Sequence, residues 1–397
     1  MKNKISMLML KPKTVNVLFM LLIASLPFVN KFSKLIAVLF LIVFFKFIYE
    51  NRDFILPSMH KLFVYSFFAL IALSNILAGT MLQNLKQDFY LAIFILIYYA
   101  TNYFIQKKIL TLSTIVYAIL ISMTIYMLDG YYQYFVGYDL FFQHPFNSAI
   151  GITGISQNRN LFAFASLFYF VVLLFLALEK KEKSFWVYIL LLSSAILILL
   201  TFCRQIWLSM IAITVIVGLF KYHSFSLKYF LAAILSIVVM VLILFNVPEL
   251  HHRLVALEEM HSSGRIEYWK LLIPHISEAP IFGHGLQSPI RDIALNGKYF
   301  DYAHNLTLGI LYSLGIAGFV FYIVFIYYFL RILIQCKNKI LKPYFFATFI
   351  ALMFIQQQVG GSMLIHKFIG PSIMIFLALV TSYCSSETFV KKGNLNP

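Results

Sequence analysis

Long apolar runs follow one another along the chain of 397 residues and constrain its fold more than any other feature. A helix that crosses a bilayer needs about 20 predominantly apolar residues, with roughly 17–25 tolerated. Because 61% of the residues are hydrophobic and 12% are charged, a water-soluble domain would lack the polar surface to cover them. We identify about twelve candidate spans, at 14–30, 33–49, 61–84, 88–105, 109–128, 160–178, 185–203, 205–220, 229–247, 304–334, 343–358 and 368–384. The sequence therefore predicts an all-α polytopic integral membrane protein.

The basic residues predict how these spans are oriented. Lys plus Arg number 31 and Asp plus Glu number 15, which gives a net charge of +16. In a soluble protein this charge would suggest nucleic acid, but here it lies in short loops, where Lys and Arg mark the cytoplasmic side. With the N-terminus inside, about twenty basic residues are cytoplasmic and about six lie in short external loops. We therefore expect both termini to be cytoplasmic and no nucleic acid to be bound.

One large loop, 248–303, separates the ninth and tenth predicted spans and falls on the external side. We predict that it belongs to a single membrane domain covering 1–397. Loops longer than about 12–15 residues are usually functional or disordered. After Ser262 and Ser263, apolar residues recur at helical spacing, at Ile266, Trp269, Leu272, Ile273 and Ile276. This stripe predicts a helix, either lying on the membrane surface or packed as an ordinary loop helix.

The sequence lacks the residues that several kinds of chemistry require. Within the predicted spans only Asp88, at a boundary, is acidic, whereas proton-coupled transporters typically need an intramembrane carboxylate. There is no Asp-x-Asp pair to hold a divalent metal against a diphosphate, so we predict no metal and no other cofactor. Three loop histidines lack the paired spacing of a zinc site and are expected to be structural: His251, His252 and His261. The cysteines are too few and too scattered for a disulfide framework: Cys203, Cys336 and Cys384.

The remaining candidates for chemistry are basic and external. Arg204 interrupts a nearly continuous apolar hairpin, where an Arg costs on the order of 2–3 kcal/mol on insertion scales. An anionic ligand would explain its presence, and a snorkelling Arg at the headgroup level is the alternative. Arg265 precedes the predicted loop helix, and Arg159 lies in a polar stretch before the sixth span. Either of these two could also be an ordinary exposed side chain.

Two further signals lie on the same predicted face. His304 and Asn305 open the tenth span, where the helix dipole favours the neutral imidazole that a general base requires. The alternative is that they simply cap the helix. Upstream, Gly283 and Gly285 flank His284 and indicate a tight turn. Because all of these signals share one face of one membrane, they predict an external site for a phosphorylated, lipid-anchored substrate.

The motifs around these residues resemble those of the O-antigen ligase and polymerase superfamily of bacterial envelope glycosyltransferases. The matching segments are Gly154-Ile155-Ser156-Gln157-Asn158-Arg159-Asn160, Thr201-Phe202-Cys203-Arg204-Gln205-Ile206-Trp207-Leu208, Gly264-Arg265-Ile266-Glu267-Tyr268-Trp269, Pro280-Ile281-Phe282-Gly283-His284-Gly285, Ala303-His304-Asn305-Leu306 and Gly315-Ile316-Ala317-Gly318. Each motif is short, but their order, spacing and sidedness together are fairly specific, and they cover about 150–320. The chain departs from the family in Cys203, where a small hydroxyl residue is frequent, and in Gln157. Neither departure involves the proposed charged groups.

The resemblance implies an O-antigen ligase of lipopolysaccharide biosynthesis. It would transfer a glycan from undecaprenyl diphosphate to a hydroxyl of lipid A–core, at the periplasmic face of the bacterial inner membrane. Such an enzyme is an inverting glycosyltransferase that uses neither a metal nor a nucleotide sugar. By the same resemblance Arg204 and Arg265 hold the diphosphate, and His304 takes the proton of the acceptor hydroxyl. The residues expected to bind substrate are Arg159, Asn158, Asn305 and His284.

The expected partners are the undecaprenyl diphosphate-linked donor, the lipid A–core acceptor and membrane lipids, and we predict no protein partner. Two other functions stay open. An O-antigen polymerase would join two lipid-linked repeat units at the same kind of site. A lipid-linked glycan transporter or flippase would instead need basic residues along a path through the membrane interior.

Overall fold

The computed structural model describes residues 12–26, 31–148, 150–179, 184–221, 265–286, 294–295, 298–299, 303–359, 369–387 and 389. Its helices are α1 (Pro12–Ser25), α2 (Lys31–Asn51), α3 (Ser58–Leu77), α4 (Met81–Gln106), α5 (Leu112–Val136), α6 (Arg159–Glu179), α7 (Phe185–Leu200), α8 (Arg204–Lys221), α9 (Arg265–Glu278), α10 (Leu306–Ile334), α11 (Lys342–Ile350) and α12 (Ile369–Cys384). A π-helical segment (Ala351–Gln356) and a last turn (Gln357–Val359) extend α11. The two-residue strands β1 (Ala294–Leu295) and β2 (Lys298–Tyr299) pair antiparallel.

Seven of these helices are long and apolar enough to cross a membrane, namely α2 to α6, α8 and α10. Four shorter apolar helices accompany them, namely α1, α7, α12 and α11 with its π-helical segment. Together they match every predicted span except 229–247, which lies outside the described residues. The predicted class, an all-α polytopic membrane protein, is confirmed.

The boundary between α3 and α4 differs from the prediction. The predicted spans 61–84 and 88–105 place the loop just before Asp88, but α3 ends at Leu77 and Gly79, with a φ of 67°, makes the turn. Asn84 and Asp88 instead lie inside α4, where their side chains have partners on α3. Asn75 donates to the Asp88 carboxylate at 2.8 Å and accepts from the Asn84 amide at 3.0 Å. Polar residues with such partners can continue a helix that composition alone would end.

The tenth predicted span, 304–334, consists of two helices rather than one. α10 is broken at Gly315, whose φ of 62° and ψ of −160° are essentially restricted to glycine. The amide groups of the next two residues donate instead to the carbonyl oxygens of Pro280 and Ile281, at 2.8 and 3.1 Å. Backbone groups freed within a membrane span need such partners inside the protein. The segment after α9 therefore closes the break in α10.

The helices pack around a core dominated by aromatic and branched aliphatic side chains. α4 packs along α12, α6 along α7, and α1 against both α2 and α5. Phe40 of α2 contacts both Phe19 and Phe104, with ring centroids 5.9 and 5.6 Å apart. Tilted ring pairs of this kind contribute beyond the apolar area that they bury. This core holds the helix ends in fixed relative positions.

Two expectations about single residues are wrong. The structure joins Cys336, just after α10, to Cys384, the last residue of α12, in a disulfide with the Cα atoms 4.4 Å apart. The two residues are 48 positions apart in sequence, and they meet because α10 and α12 run parallel with their C-terminal ends side by side. Asp129 was predicted to lie outside the spans. It lies inside α5, which extends to Val136, and it is fully buried.

Candidate active site

Three arginines lie near one buried thiol at the end of the bundle where α6 and α8 begin. Burial raises the pKa of the Cys203 thiol to about 11, and three nearby positive charges act in the opposite direction, those of Arg159, Arg265 and Arg204. The Cys203 Sγ also lies 3.2 Å from the Asn160 side-chain oxygen, next to Arg159. The structure thus brings together Arg159, Arg204 and Arg265, which the sequence placed on one face. We call these three residues the arginine cluster.

The arginine cluster lies at helix ends of positive potential. Each of its members is the first residue of a helix, α6, α8 or α9, and a helix N-terminus carries a partial positive charge. Among the described residues, neither Arg159 nor Arg204 forms an ion pair with a carboxylate. Arg159 Nη1 donates to the Ile150 carbonyl oxygen at 3.1 Å. Guanidinium groups at helix N-termini are suited to bind an anion with several oxygen atoms.

The turn that presents Arg204 is fixed by backbone contacts. Phe202 has a left-handed φ of 53°, and the Trp207 indole donates to the Ile198 carbonyl oxygen at 3.0 Å. Gly151, with a φ of 88°, packs so closely that a Cβ there would lie 2.8 Å from the Leu200 carbonyl oxygen. The turn between α7 and α8 therefore depends on the glycine of the loop that precedes α6.

Two buried side chains of α5 hold the loop that leads to Arg159. The Asp129 carboxylate accepts from the amides of Leu140 and Ile155, at 2.8 and 2.7 Å. The Gln133 side-chain oxygen accepts from the next two amides upstream, those at 153 and 154, at 2.9 and 2.8 Å. Sequence reasoning missed both residues, because their partners lie 11 to 26 positions away. The available signal for their role was that an acidic and an amide residue, Asp129 and Gln133, precede a Gly-rich loop.

Asn158, predicted to bind substrate, has a structural role in the described contacts. Its side-chain oxygen accepts from the amides of Asn160 and Leu161, at 2.9 and 3.4 Å. It therefore caps the N-terminus of α6, the helix that starts with Arg159. The side chain is exposed, so the remaining amide group is accessible beside the arginine cluster.

His304 and Asn305 lie at the start of α10 and are held from two sides. His304 has a left-handed φ of 52° and is half-buried, and Asn305 caps the helix by accepting from the Leu308 amide at 2.9 Å. The Asn305 amide donates to the Gln358 carbonyl oxygen at 3.0 Å, and Thr307 donates to the Gln358 side chain at 2.7 Å. Gln358 follows the π-helical segment and was missed, because nothing near it in sequence indicates this contact.

The helix α9 links the arginine cluster to His304. Arg265 begins α9, and one turn later the Trp269 indole donates to the Ala303 carbonyl oxygen at 2.7 Å. Tyr268 and Leu272 of α9 are fully buried and pack against α10, whereas other members of the predicted stripe, such as Ile273, stay exposed. The predicted loop helix is confirmed, and one side of it packs on the protein.

His284 has different surroundings from the arginine cluster. Its ring stacks on Tyr312 with the centroids 4.7 Å apart, and its Nε2 donates to the His275 carbonyl oxygen at 2.7 Å. The flanking Gly283 and Gly285 have φ values of 69° and 92°, so the predicted tight turn is present. His284 lines an open cavity between this turn and the connection from α3 to α4.

The described residues contain no group of three His, Cys, Asp or Glu side chains that could hold a metal ion. The predicted structural histidines, His251, His252 and His261, lie outside the residues that the structure describes. The predicted metal independence therefore stays a prediction.

The fold and the site together define a multi-pass membrane protein with a cationic site assembled from helix N-termini. The model of the O-antigen ligase family matches residues 187–323. The predicted site residues inside that range are Arg204, Arg265, His284, His304 and Asn305. This segment is thus similar to the O-antigen ligase family, and the resemblance to that superfamily is confirmed.

A curated relative gives a shorter match. The chain is 37% identical over 62 residues to the O-antigen ligase of Pseudomonas aeruginosa. This match covers 16% of the chain and 16% of the relative, so the chain aligns with only a small part of that protein. The relative's name therefore supports the family and leaves the reaction, the substrates and the partners of this chain to be proposed.

Proposed function

We propose that the protein is an O-antigen ligase that transfers a glycan from undecaprenyl diphosphate to a hydroxyl of lipid A–core. The observation that carries this proposal is the arginine cluster, in which Arg159, Arg204 and Arg265 act on one buried thiol at the start of three helices. A diphosphate carries several oxygen atoms that accept from guanidinium groups in pairs. The family domain and its named relative support the same reaction.

In the proposed reaction the acceptor hydroxyl oxygen attacks the anomeric carbon of the glycan. The bond from that carbon to the diphosphate oxygen breaks, and the undecaprenyl diphosphate leaves with the bonding electrons. Arg204 and Arg265 stabilise the negative charge that develops on the leaving group, the task that metal ions perform in other enzymes. Because one displacement occurs at one face of the sugar, the anomeric configuration inverts.

His304 is the proposed general base, which takes the proton from the attacking hydroxyl. Its place beside a helix N-terminus favours the neutral imidazole that this role requires. The Trp269 contact to Ala303 and the Asn305 contact to Gln358 hold its backbone from two sides. Asn158 and Asn305 each use an oxygen to cap a helix, and the Asn305 amide already donates to Gln358. Asn158 is therefore proposed to contact the substrate through its amide group, and Asn305 to contribute by fixing the start of α10.

The proposal is tested by transfer from purified lipid-linked donor to lipid A–core, alongside a measurement of donor binding. Arg204→Ala and Arg265→Ala should each lose about 10²–10³ in rate, on the order of 2–4 kcal/mol of transition-state stabilisation. Arg204→Lys should also be impaired, because a point charge does not reproduce the guanidinium fork. The matched control is Arg331→Ala, an exposed arginine in the last turn of α10.

His304→Ala separates the two steps of the proposal. It should slow transfer while donor binding persists, because its role is on the acceptor hydroxyl. All variants must first be shown to be folded and inserted. Near-normal transfer by the variants at Arg204, Arg265 and His304 would remove the mechanism.

Glycan analysis of a deletion strain separates the ligase from the two alternatives. A core without polymer indicates loss of a ligase, a core that carries a single repeat indicates loss of a polymerase, and trapped lipid-linked material indicates loss of a transporter. The proposed location is the inner membrane, with the site periplasmic and both termini cytoplasmic, as the basic loops predict. Reporter fusions after residues 270 and 390 should report the periplasm and the cytoplasm, respectively.

A further inference from the structure

An open cavity of about 640 Å³ lies at the end of α9 that is remote from the arginine cluster. It is bounded by the connection between α3 and α4 on one side and by the segment that follows α9 on the other. The residues that line it are Leu77, Ala78, Thr80, Gln83, Glu278, Ala279, Pro280, Ile281, Phe282, Gly283, His284 and Tyr312. The proposed reaction assigns no task to most of this surface.

The walls of the cavity are fixed by a buried polar network. The Ser74 hydroxyl donates to the carbonyl oxygens of Phe282 and Ser313, at 2.6 and 3.0 Å. The Asn75 side-chain oxygen accepts from the Leu286 amide at 2.8 Å. Ser74 and Asn75 are buried in the last turn of α3, so one wall of the cavity is bonded directly to the other. The cavity is therefore a formed feature and not a gap between independent loops.

The chemistry of the lining differs from that of the arginine cluster. Among the described residues that line the cavity, none is a lysine or an arginine, and Glu278 contributes a carboxylate. Gln83 contributes an exposed amide that makes no hydrogen bond to another described residue. Phe282 and Pro280 contribute apolar surface. Neutral molecules that carry both hydroxyl groups and apolar C–H faces match this lining, whereas phosphate would meet the Glu278 carboxylate.

The distance from the arginine cluster restricts what can reach the cavity. α9 has 14 residues, with Arg265 at its first position and Glu278 at its last. At 1.5 Å per residue the helix is about 21 Å long, so the cavity and the cluster lie at opposite ends of a rod of that length. A single sugar attached at the cluster cannot reach the cavity, but an oligosaccharide can.

We infer that this cavity is a saccharide subsite, which binds sugar residues remote from the bond that is made. Glu278 and Gln83 accept from and donate to sugar hydroxyls, and the apolar wall packs against a sugar face. His284 forms part of the cavity wall and is not assigned to bind the sugar, because its Nε2 already donates to the His275 carbonyl oxygen and its ring stacks on Tyr312. The inference rests on the proposed function in so far as that function supplies saccharide substrates.

The test is equilibrium binding to the full chain in detergent, with two probes that carry no lipid. One probe is the core oligosaccharide released from the host's lipopolysaccharide, and the other is the glycan released from its lipid carrier. One of the two should bind, and which one binds identifies the source of the saccharide. Gln83→Ala and Glu278→Gln should each weaken that binding several-fold, and the double variant at least tenfold.

The matched control is Glu50→Gln. Both glutamates are exposed at the end of a helix and pair with a basic residue one turn back, Glu278 with His275 at 3.1 Å and Glu50 with Lys46 at 3.8 Å. Glu50→Gln should leave binding unchanged. Gln83 makes no hydrogen bond to another described residue, so Gln83→Ala should keep the thermal unfolding midpoint of the wild type. When the two midpoints match, a loss of binding in Gln83→Ala reports the lost contact to the saccharide and not unfolding.

The outcomes separate this inference from the proposed function. If the wild type binds neither probe, or if the cavity variants bind as well as Glu50→Gln, the saccharide subsite is wrong even when transfer proceeds. If binding depends on the cavity but the wild type transfers no glycan, the proposed function fails and the subsite stands. Where transfer is observed, the cavity variants should raise the KM for a long saccharide substrate and leave a single-sugar donor unaffected.

Discussion

Gly315→Ala tests how the broken helix α10 is built. Gly315 lies in a backbone region that costs other residues on the order of 1–3 kcal/mol. A Cβ at this position would also lie 2.7 Å from the Phe282 amide nitrogen and closer still to the carbonyl group of Ile281. These neighbours are backbone atoms, so the substitution must displace the segment that closes the break. Two hydrogen bonds from the 316 and 317 amides would be weakened or lost.

The expected loss follows from these terms. Backbone strain of about 1–3 kcal/mol and two hydrogen bonds of about 0.5–1.5 kcal/mol each together predict a destabilisation of roughly 2–6 kcal/mol. The measurement is the free energy of unfolding in mixed micelles, titrated with a denaturing detergent. Because the displaced segment carries His284, binding of the saccharide probe should fall in parallel.

Gly309→Ala in the same helix is the control. A Cβ there would meet only the Ala303 Cβ, at 3.8 Å, and the backbone is helical. Alanine is favoured over glycine in a helix by up to about 1 kcal/mol, so this variant should be neutral or slightly more stable. Equal stability of Gly315→Ala and Gly309→Ala would refute the account of the break.

Three further predictions follow from the described contacts. Burial would raise the pKa of Asp139, but the amide hydrogen bonds from Phe142 and His144 outweigh it and hold this pKa below its usual value of 3.8. The ionised Asp139 should therefore stabilise the loop fully above pH 3.8, and this stabilisation should disappear as the pH falls below that value. Hydrogen exchange of residues 137–148 measures the effect. Gln358→Ala removes the contact to Thr307 and should cost about 1 kcal/mol of stability and slow transfer more than donor binding, whereas unchanged kinetics would assign Gln358 to packing alone. Transfer should continue in chelator, and loss that Mg²⁺ or Mn²⁺ restores would reveal a metal site.

The order of the spans was predictable because it depends on local composition. A run of apolar residues has the same consequence in a membrane wherever its partners lie. The proximity of Arg159, Arg204 and Arg265 was also predictable, because loops on one side of a membrane share the limited area at that end of the helix bundle. Both inferences use only the number of apolar and basic residues in each segment and the side of the membrane on which each loop lies. Neither requires knowledge of which helices pack together.

The features that the sequence did not reveal depend on distant partners. The break at Gly315 is closed by residues more than 30 positions upstream, and the Ser74 hydroxyl bonds a carbonyl 208 positions away. Similarly, Asp129 looked like a loop residue, because a buried acid inside a helix is favourable only when backbone amides are brought to it. Periodicity carries no information about such pairings.

The placement of the acids explains how the arginine cluster can stay cationic beside carboxylates. Asp129 lies in α5 and Asp139 in the loop that leads from α5 to Arg159, and both are fully buried. The Asp129 oxygens accept from backbone amides, and those of Asp139 from three amides and the His144 ring. Each acid therefore builds the loop and is held away from an ion pair with the guanidinium it positions. Among the described residues Arg159 and Arg204 form no ion pair with a carboxylate, so the diphosphate that we propose as their ligand would bind these two arginines without first breaking an internal salt bridge.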